Sequence, residues 1–343
     1  MTAERPGVLD GAIAPAENSR LFGHGEAEVF LAQSYKSGKG HHAVLIEGPE
    51  GIGKATLAFR FAKHVLCHPE PTEAPDRLGD PDPGSIVSRQ LASGASHNLL
   101  HLTRPVDEKS GRVKGAITVD EVRRAGKFFG QTSGTGNWRI VIIDPADDLN
   151  RNAANAILKI LEEPPRRSLF LVLTHAPGKL LPTIRSRCLP LRLKPLDAGA
   201  MRQALAHLGF DMGGGNADQI LAAAGGSVAE ALKLINYGGL EIAAAFDDVI
   251  AGQGPAVRKQ MHKLADILSA KDSETIFDFF ASLLQSRVMQ LAREAALAGD
   301  IGRAERFAHL SSSFAERLAI SEGYNLDRKQ TVLSLLDDLK DRL

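Results

Sequence analysis

The sequence predicts an α/β domain built on a parallel sheet, followed by a small helical module and an all-helical C-terminal region. Three observations predict it. Short apolar, β-branched runs recur through the first half with little polar alternation, as in strands covered on both faces by helices. A glycine-rich loop joins the first of these runs to an amphipathic stretch, the order of a strand-loop-helix unit. The later half is dominated by alanine and leucine, with aromatics only 5% of the chain, which favours helix. At 343 residues, two or three domains are expected, and their boundaries are read as 1–195, 196–240 and 241–343.

Taken in order, the strand-like runs are Ala43–Ile46, Leu99–Leu102, Ile140–Ile143, Leu169–Leu173 and Leu189–Leu193. Between them the helical period returns: Leu57, Phe61 and Val65, then Ala153, Ala156 or Ile157, and Ile160. Residues 68–84 break the order. They hold Pro69, Pro71, Pro75, Pro81 and Pro83 among acidic residues, a composition that forms neither a helix nor a central strand. A solvent-exposed excursion is expected there. Pro195 and Asp197 mark the end of the α/β region. Two helices are expected to about Leu234, around Gly213-Gly214-Gly215 and Gly225-Gly226. The last apolar stripe is Leu333, Leu336, Leu339 and Leu343, and no internal repeat is visible.

Composition excludes several classes. With 43% hydrophobic and 24% charged residues, the chain is not disordered. No run approaches the roughly 18–20 apolar residues of a membrane span. Lysine plus arginine equals aspartate plus glutamate, 41 each, so any DNA contact is expected to be local or shared with partners. Cys67 and Cys188 are the two cysteines, too few for a disulfide framework or a Cys-rich zinc site. The first twenty residues lack the apolar stretch of a signal peptide, so a cytoplasmic location is expected.

The glycine-rich loop reads Gly48-Pro49-Glu50-Gly51-Ile52-Gly53-Lys54. Gly48, Gly51 and Gly53 let backbone N–H groups converge on phosphates, and Lys54 adds a point charge at a helix start. This is the P-loop pattern in its required context. The position after the lysine normally supplies a hydroxyl to Mg²⁺, and here it is Ala55. Thr56 is adjacent, but one helical residue turns a side chain by about 100°, so it does not replace the missing ligand. The loop can cradle ATP or ADP phosphates while its metal site is compromised.

A second acidic site follows Arg139–Ile143. Asp144 stands where P-loop enzymes support Mg²⁺, with a turn or capping role as the plainer alternative. The next residue is Pro145, which carries no carboxylate to orient water. Positioning of a general base is worth about 10²–10⁴-fold in rate, so its loss alone is severe.

Three blocks then carry a resemblance. They are Trp138–Asp147 running into Asn152–Leu161, then Leu161-Glu162-Glu163-Pro164-Pro165, then Leu181-Pro182-Thr183-Ile184-Arg185-Ser186-Arg187-Cys188. Their order and spacing resemble the clamp-loader subunits of bacterial DNA polymerase III, within the AAA+ group, strongly over about residues 20–195. Asn325–Lys329 resembles the family's C-terminal helical domain more weakly. The resemblance implies an AAA+ P-loop domain, a helical lid and a C-terminal helical collar. Ala55, Pro145, and Ala229 in Gly226-Ser227-Val228-Ala229 (where motor subunits carry an arginine) match the family's non-motor member.

By the same resemblance, Arg187 is a finger reaching the nucleotide of the next subunit. An internal ion pair at the start of strand Leu189–Leu193 is the structural alternative. Thr174 matches the polar position near the γ-phosphate, with a strand-end hydrogen bond the favoured role. Leu21-Phe22-Gly23-His24-Gly25-Glu26 resembles an adenine-pocket segment or, more plainly, a hydrophobic lead-in to a helix. Arg185 is read as a packing or salt-bridge arginine, and Cys188 as a small buried hydrophobe. Many relatives carry four cysteines after the first helix. With Cys67 alone there beside His64, His68 and His97, no zinc is expected.

The function implied is a stator-like subunit of the DNA polymerase III holoenzyme, a nucleotidyltransferase. It would complete a ring with gamma/tau motor subunits and a delta subunit. The sliding clamp and primed DNA would be reached through the assembly, and no membrane. No cofactor is required, and ATP or ADP binding would be weak or without hydrolysis. The alternative is an ATP-hydrolysing motor or other P-loop ATPase. Ala55 and Pro145 count against it and against a kinase, and no clustered carboxylates support a nuclease.

Overall fold

All five apolar runs form strands in the computed structural model, which describes residues 8–107, 113–130, 136–214, 216–271 and 273–343. They are β1 (Ala43–Glu47), β2 (Leu99–Leu102), β3 (Arg139–Ile143), β4 (Ser168–Thr174) and β5 (Leu189–Arg192). Every pairing is parallel, in the order β2-β3-β4-β1-β5. The three inner strands are buried along their whole length, which explains their lack of alternation. The outer two are only half-buried, and Pro190 sits on edge strand β5, where its missing N–H costs no ladder bond.

Helices cover both faces. On one face α1 (Gly25–Lys36) and α2 (Lys54–Cys67) pack Leu31, Phe61 and Val65 against Val44, Ile46 and Leu171. On the other, α4 (Val119–Gly130) and α5 (Arg151–Glu162) pack Val122, Ala153 and Ile157 against Leu45, Val141 and Phe170. The buried stripe of α5 ends on Leu161 rather than on Ile160, which is only partly covered.

The second helix departs from the amphipathic reading, because it is buried nearly all round. Arg60 is 4% exposed and Lys63 3%. Arg60 donates from Nε to Glu28 Oε1 at 2.7 Å and also bonds Asp80 and the Ser19 carbonyl. Lys63 donates to the Ala16 carbonyl at 2.7 Å. These two cations strap the segment before α1 across the outer face of α2. Burial raises the Glu28 carboxyl above its ordinary value, and the Arg60 charge opposes that rise.

The proline-rich segment is largely exposed and forms neither a helix nor a strand beyond a 3₁₀ turn at Pro71–Glu73 before α3 (Ile86–Ala92), as expected, but it is pinned to the domain at several points. Ala74 and Leu78 are buried in the α1–α2 core. The Trp138 indole donates to the Pro69 carbonyl at 3.0 Å, the Tyr35 hydroxyl to that of His68 at 2.6 Å, and Arg167 pairs with Glu70. Prolines remove backbone donors, so side chains elsewhere satisfy the carbonyls instead.

After the short helix α6 (Pro182–Arg185) and β5, three helices form where two were expected. They are α7 (Ala198–His207), α8 (Ala217–Ala223) and α9 (Val228–Asn236), with Gly225 and Gly226 between the last two. Gly215 lies outside the described residues. Contacts divide the chain into two compact units, Met1–Ala229 and Glu230–Leu343, a coarser division than the three domains read from sequence.

The second unit is all helical: the rest of α9, then α10 (Gly239–Ala251), α11 (Pro255–Leu268), α12 (Glu274–Leu297), α13 (Ile301–Gly323) and α14 (Arg328–Lys340). Phe246 and Phe280 meet edge to face in its core, ring centres 5.5 Å apart. The last stripe is Val332, Leu335, Leu336 and Leu339. Leu343 falls beyond the helix and is 41% exposed, and Leu333 is only partly covered, so the expected stripe is displaced around the axis. No helix among the described residues is long and apolar enough to cross a membrane.

Candidate functional site

The C-terminal ends of β1, β3 and β4 bring three sequence-distant segments to one edge of the sheet, where open parallel sheets bind ligands. The loop after β1 is the phosphate loop. The Gly48 N–H donates to the Thr174 carbonyl at 3.2 Å, tying the loop's start to the end of β4. Gly51 has φ +75°, and a Cβ there would lie 2.3 Å from Ser227 Oγ and 2.4 Å from Ala229 Cβ. The Val228 N–H donates to the Gly51 carbonyl at 3.0 Å. The Gly226–Ala229 block therefore sits directly on the loop, and only glycine fits beneath it. Gly53, at φ +102°, is similarly covered by Leu21, whose Cδ1 would lie 2.8 Å from an added Cβ.

Lys54 opens α2 and is 4% exposed. Its Nζ donates to the Gly48 carbonyl at 2.7 Å and to that of Pro49. Burial lowers its pKa to about 8, against the opposing charges of Asp144, Glu50 and Asp147. The ammonium is thus held by two carbonyls of its own loop. Ala55 packs on the α1–α2 core, and Thr56 is buried beside it.

The Leu21–Glu26 segment meets the loop as well. His24 is buried and its pKa is lowered, chiefly by desolvation. The neutral ring contacts the Ile52 carbonyl through Nε2 at 2.7 Å, so that nitrogen carries the hydrogen. Phe22 tilts against His207 of α7, ring centres 5.7 Å apart.

The acidic loop after β3 is where the structure adds most. Asp147 accepts three hydrogen bonds: from Thr174 Oγ1 at 2.8 Å, from the His175 N–H at 2.7 Å and from the Ala176 N–H at 3.2 Å. Its carboxylate holds the end of β4 through both oxygens. Asp148 pairs with Arg104 Nε at 3.1 Å, and burial raises its carboxyl above the ordinary value. Asp144 faces His101 Nε2 of β2 across a longer 3.4 Å. It does not cap α5; Asn150 does, accepting from the Ala153 N–H. Thr174 is fully buried, and its hydroxyl makes a strand-end hydrogen bond. Burial and the Lys54 charge both lower the His175 pKa, so that ring is neutral near pH 7.

Arg187 lies in the turn between α6 and β5, outside this cluster. It donates from NH1 to the Thr183 carbonyl at 2.9 Å and from NH2 to Glu162 Oε1 at 2.7 Å. The internal ion pair offered as its alternative role is thus formed, yet the side chain stays 34% exposed. Arg185 is exposed and enters no ion pair among the described residues, which corrects its reading as a packing or salt-bridge residue. Cys188 is buried against the α4–α5 core, and desolvation pushes its thiol up to about 12, so it is no nucleophile. Among the described residues, no group of three His, Cys, Asp or Glu could hold a metal.

The sequence assigns no role to Asp147, His101, His175 or Glu162. Their partners lie 25 to 43 residues away, a distance no local pattern encodes.

A parallel sheet with the phosphate-loop strand between β4 and β5, an aspartate closing β3 and a threonine closing β4 defines a P-loop domain of the AAA+ type. The family described as "DNA polymerase III, delta subunit" matches residues 23–197, and the chain belongs to it. A DNA polymerase III subunit delta' of Pseudomonas aeruginosa is 33% identical over 241 residues, covering 70% of this chain and 69% of that protein. The Escherichia coli delta' subunit is 34% identical, covering 46% of this chain and 44% of its own length. The Escherichia coli tau subunit is 29% identical, covering 78% of this chain but only 39% of its own length. These similarities place the chain among the clamp-loader subunits of DNA polymerase III.

Proposed function

We propose that this chain is the non-hydrolysing member of a cytoplasmic clamp-loader ring. It joins gamma/tau motor subunits and a delta subunit, and presents Arg187 to the nucleotide of a neighbouring motor. Through the assembly it assists placement of the sliding clamp on primed DNA.

The commitment of the acidic loop carries this reading. Asp147 is held by three donors, Asp148 by Arg104 and Asp144 faces His101, while position 145, next to the metal-supporting Asp144, is proline and offers no carboxylate to orient an attacking water. Ala55 removes the hydroxyl that would ligate Mg²⁺. The loop keeps its phosphate-binding backbone and Lys54, so ATP or ADP binding is weak and needs no metal.

The test is equilibrium binding of a fluorescent ATP analogue to the purified chain. Adding Mg²⁺ is expected to change affinity by less than about threefold, since the hydroxyl ligand is absent. Protonated Lys54 binds the phosphates, so affinity falls as pH rises through about 8 and drops roughly tenfold between pH 7 and pH 9. Tight binding that requires Mg²⁺ and is flat across that range contradicts the proposal.

A further inference from the structure

Two carboxylates, Glu162 and Glu163, stand at the C-terminal end of α5, immediately before Pro164-Pro165. A helix C-terminus carries the negative end of the backbone dipole, so acidic residues there are disfavoured. Local helix stability therefore gives no reason for Glu162. Its observed partner does: Glu162 Oε1 accepts from Arg187 NH2 at 2.7 Å, 25 residues away.

The pair has an unusual arrangement for a surface ion pair. The guanidinium is held at two points in its plane, by the Glu162 carboxylate through NH2 and by the Thr183 carbonyl through NH1. These bonds use two of its five N–H donors and leave three. The side chains remain 34% and 48% exposed, so the pair itself contributes little stability. What it does is fix a long, rotamer-rich side chain that stays partly exposed, with three N–H donors left over.

The same helix begins at Arg151, capped by Asn150, two residues after the turn that holds Asp147 and Asp148. One rigid element thus runs from the phosphate-loop side of the domain to the arginine.

We propose that Glu162 is the positioning residue for Arg187. It pre-orients the guanidinium so that its remaining N–H groups meet the γ-phosphate of ATP bound to the neighbouring subunit. This rests on the reading of Arg187 as a residue acting in trans. Pre-ordering the side chain removes an entropic cost at the moment of engagement, and misplacement of a positioned group can cost up to about 10²-fold in rate.

The test uses the assembled complex with its motor and delta subunits, clamp and primed DNA. Single-turnover ATP hydrolysis is followed with wild type, Glu162→Gln, Arg187→Ala and the double variant. Glu162→Gln keeps the shape and removes the charge. It is expected to slow the fraction of ATP facing this subunit by about tenfold, with ATP affinity unchanged and other sites unaffected. In the Arg187→Ala background, Glu162→Gln is expected to add nothing. A slowing that persists in that background would mean a general structural effect and overturn the proposal. Normal kinetics for Glu162→Gln beside slow kinetics for Arg187→Ala would overturn it alone. Normal kinetics for Arg187→Ala would remove the reading beneath it.

Discussion

Replacing Arg187 with alanine is expected to leave this chain folded and the ring assembled, and to slow ATP hydrolysis at the neighbouring site by about 10³–10⁵-fold. The size follows from the chemistry. Negative charge spreads over the transferring phosphoryl oxygens, and an arginine supplied by a neighbour meets it with a planar array of donors in a site from which water is excluded. Little stability is at stake, because the Arg187–Glu162 pair is partly exposed and such pairs contribute about 0–1 kcal/mol. Lysine at this position is not expected to rescue the rate, since an ammonium cannot bond Thr183, Glu162 and a phosphate in one plane. Rapid-quench measurement on the assembled complex separates the affected fraction of ATP from the rest. Equal rates for wild type and Arg187→Ala would reduce Arg187 to a structural arginine.

Replacing Asp147 with alanine is expected to have the opposite profile: a large loss of stability, with the isolated chain as silent toward ATP as wild type. The carboxylate satisfies the Thr174 hydroxyl and the backbone N–H groups of His175 and Ala176. Thr174 is fully buried, so its hydroxyl has no water to turn to. Hydrogen bonds to a charged group contribute about 1.5–3 kcal/mol each and are not additive when they share an acceptor. A total of about 3–5 kcal/mol is expected, or roughly ten degrees in the melting temperature of the first unit. Asp148→Ala is the matched control. It removes a partly exposed pair with Arg104 and should cost no more than about 1 kcal/mol. If the two substitutions melt alike, Asp147 does not clamp β4, and its carboxylate is available for other chemistry.

Much of this architecture could be read from the chain before folding. The five apolar runs were legible because buried parallel strands need continuous β-branched and aliphatic residues. The phosphate loop was legible because its glycines and lysine are contiguous. Ala55 and Pro145 spoke by their absence of a hydroxyl and a carboxylate at positions fixed by that contiguity.

What stayed hidden is non-local. Nothing near Asp147 announces that it will meet the end of β4, and nothing near Glu162 announces Arg187. Arg60 and Lys63 lie in a stretch that reads as amphipathic, yet they are buried because the segment before α1 lies over them. Ala74 and Leu78 were lost among prolines, where composition argues for exposure and only tertiary contact reverses it. The final helix shows the limit of periodicity at a chain end. Leu343 fits the stripe by spacing but falls after the helix stops at Lys340.

The central claim is that the phosphate loop survives without a hydrolytic site. The most direct test is ATP turnover by the purified chain alone, with Mg²⁺, beside the motor subunits of the same assembly as a positive control. The account predicts release of phosphate no faster than the buffer blank. Turnover at the rate of the isolated motors would contradict it, and would mean that a group other than Ala55, Pro145, Asp147 or Asp148 orients the water.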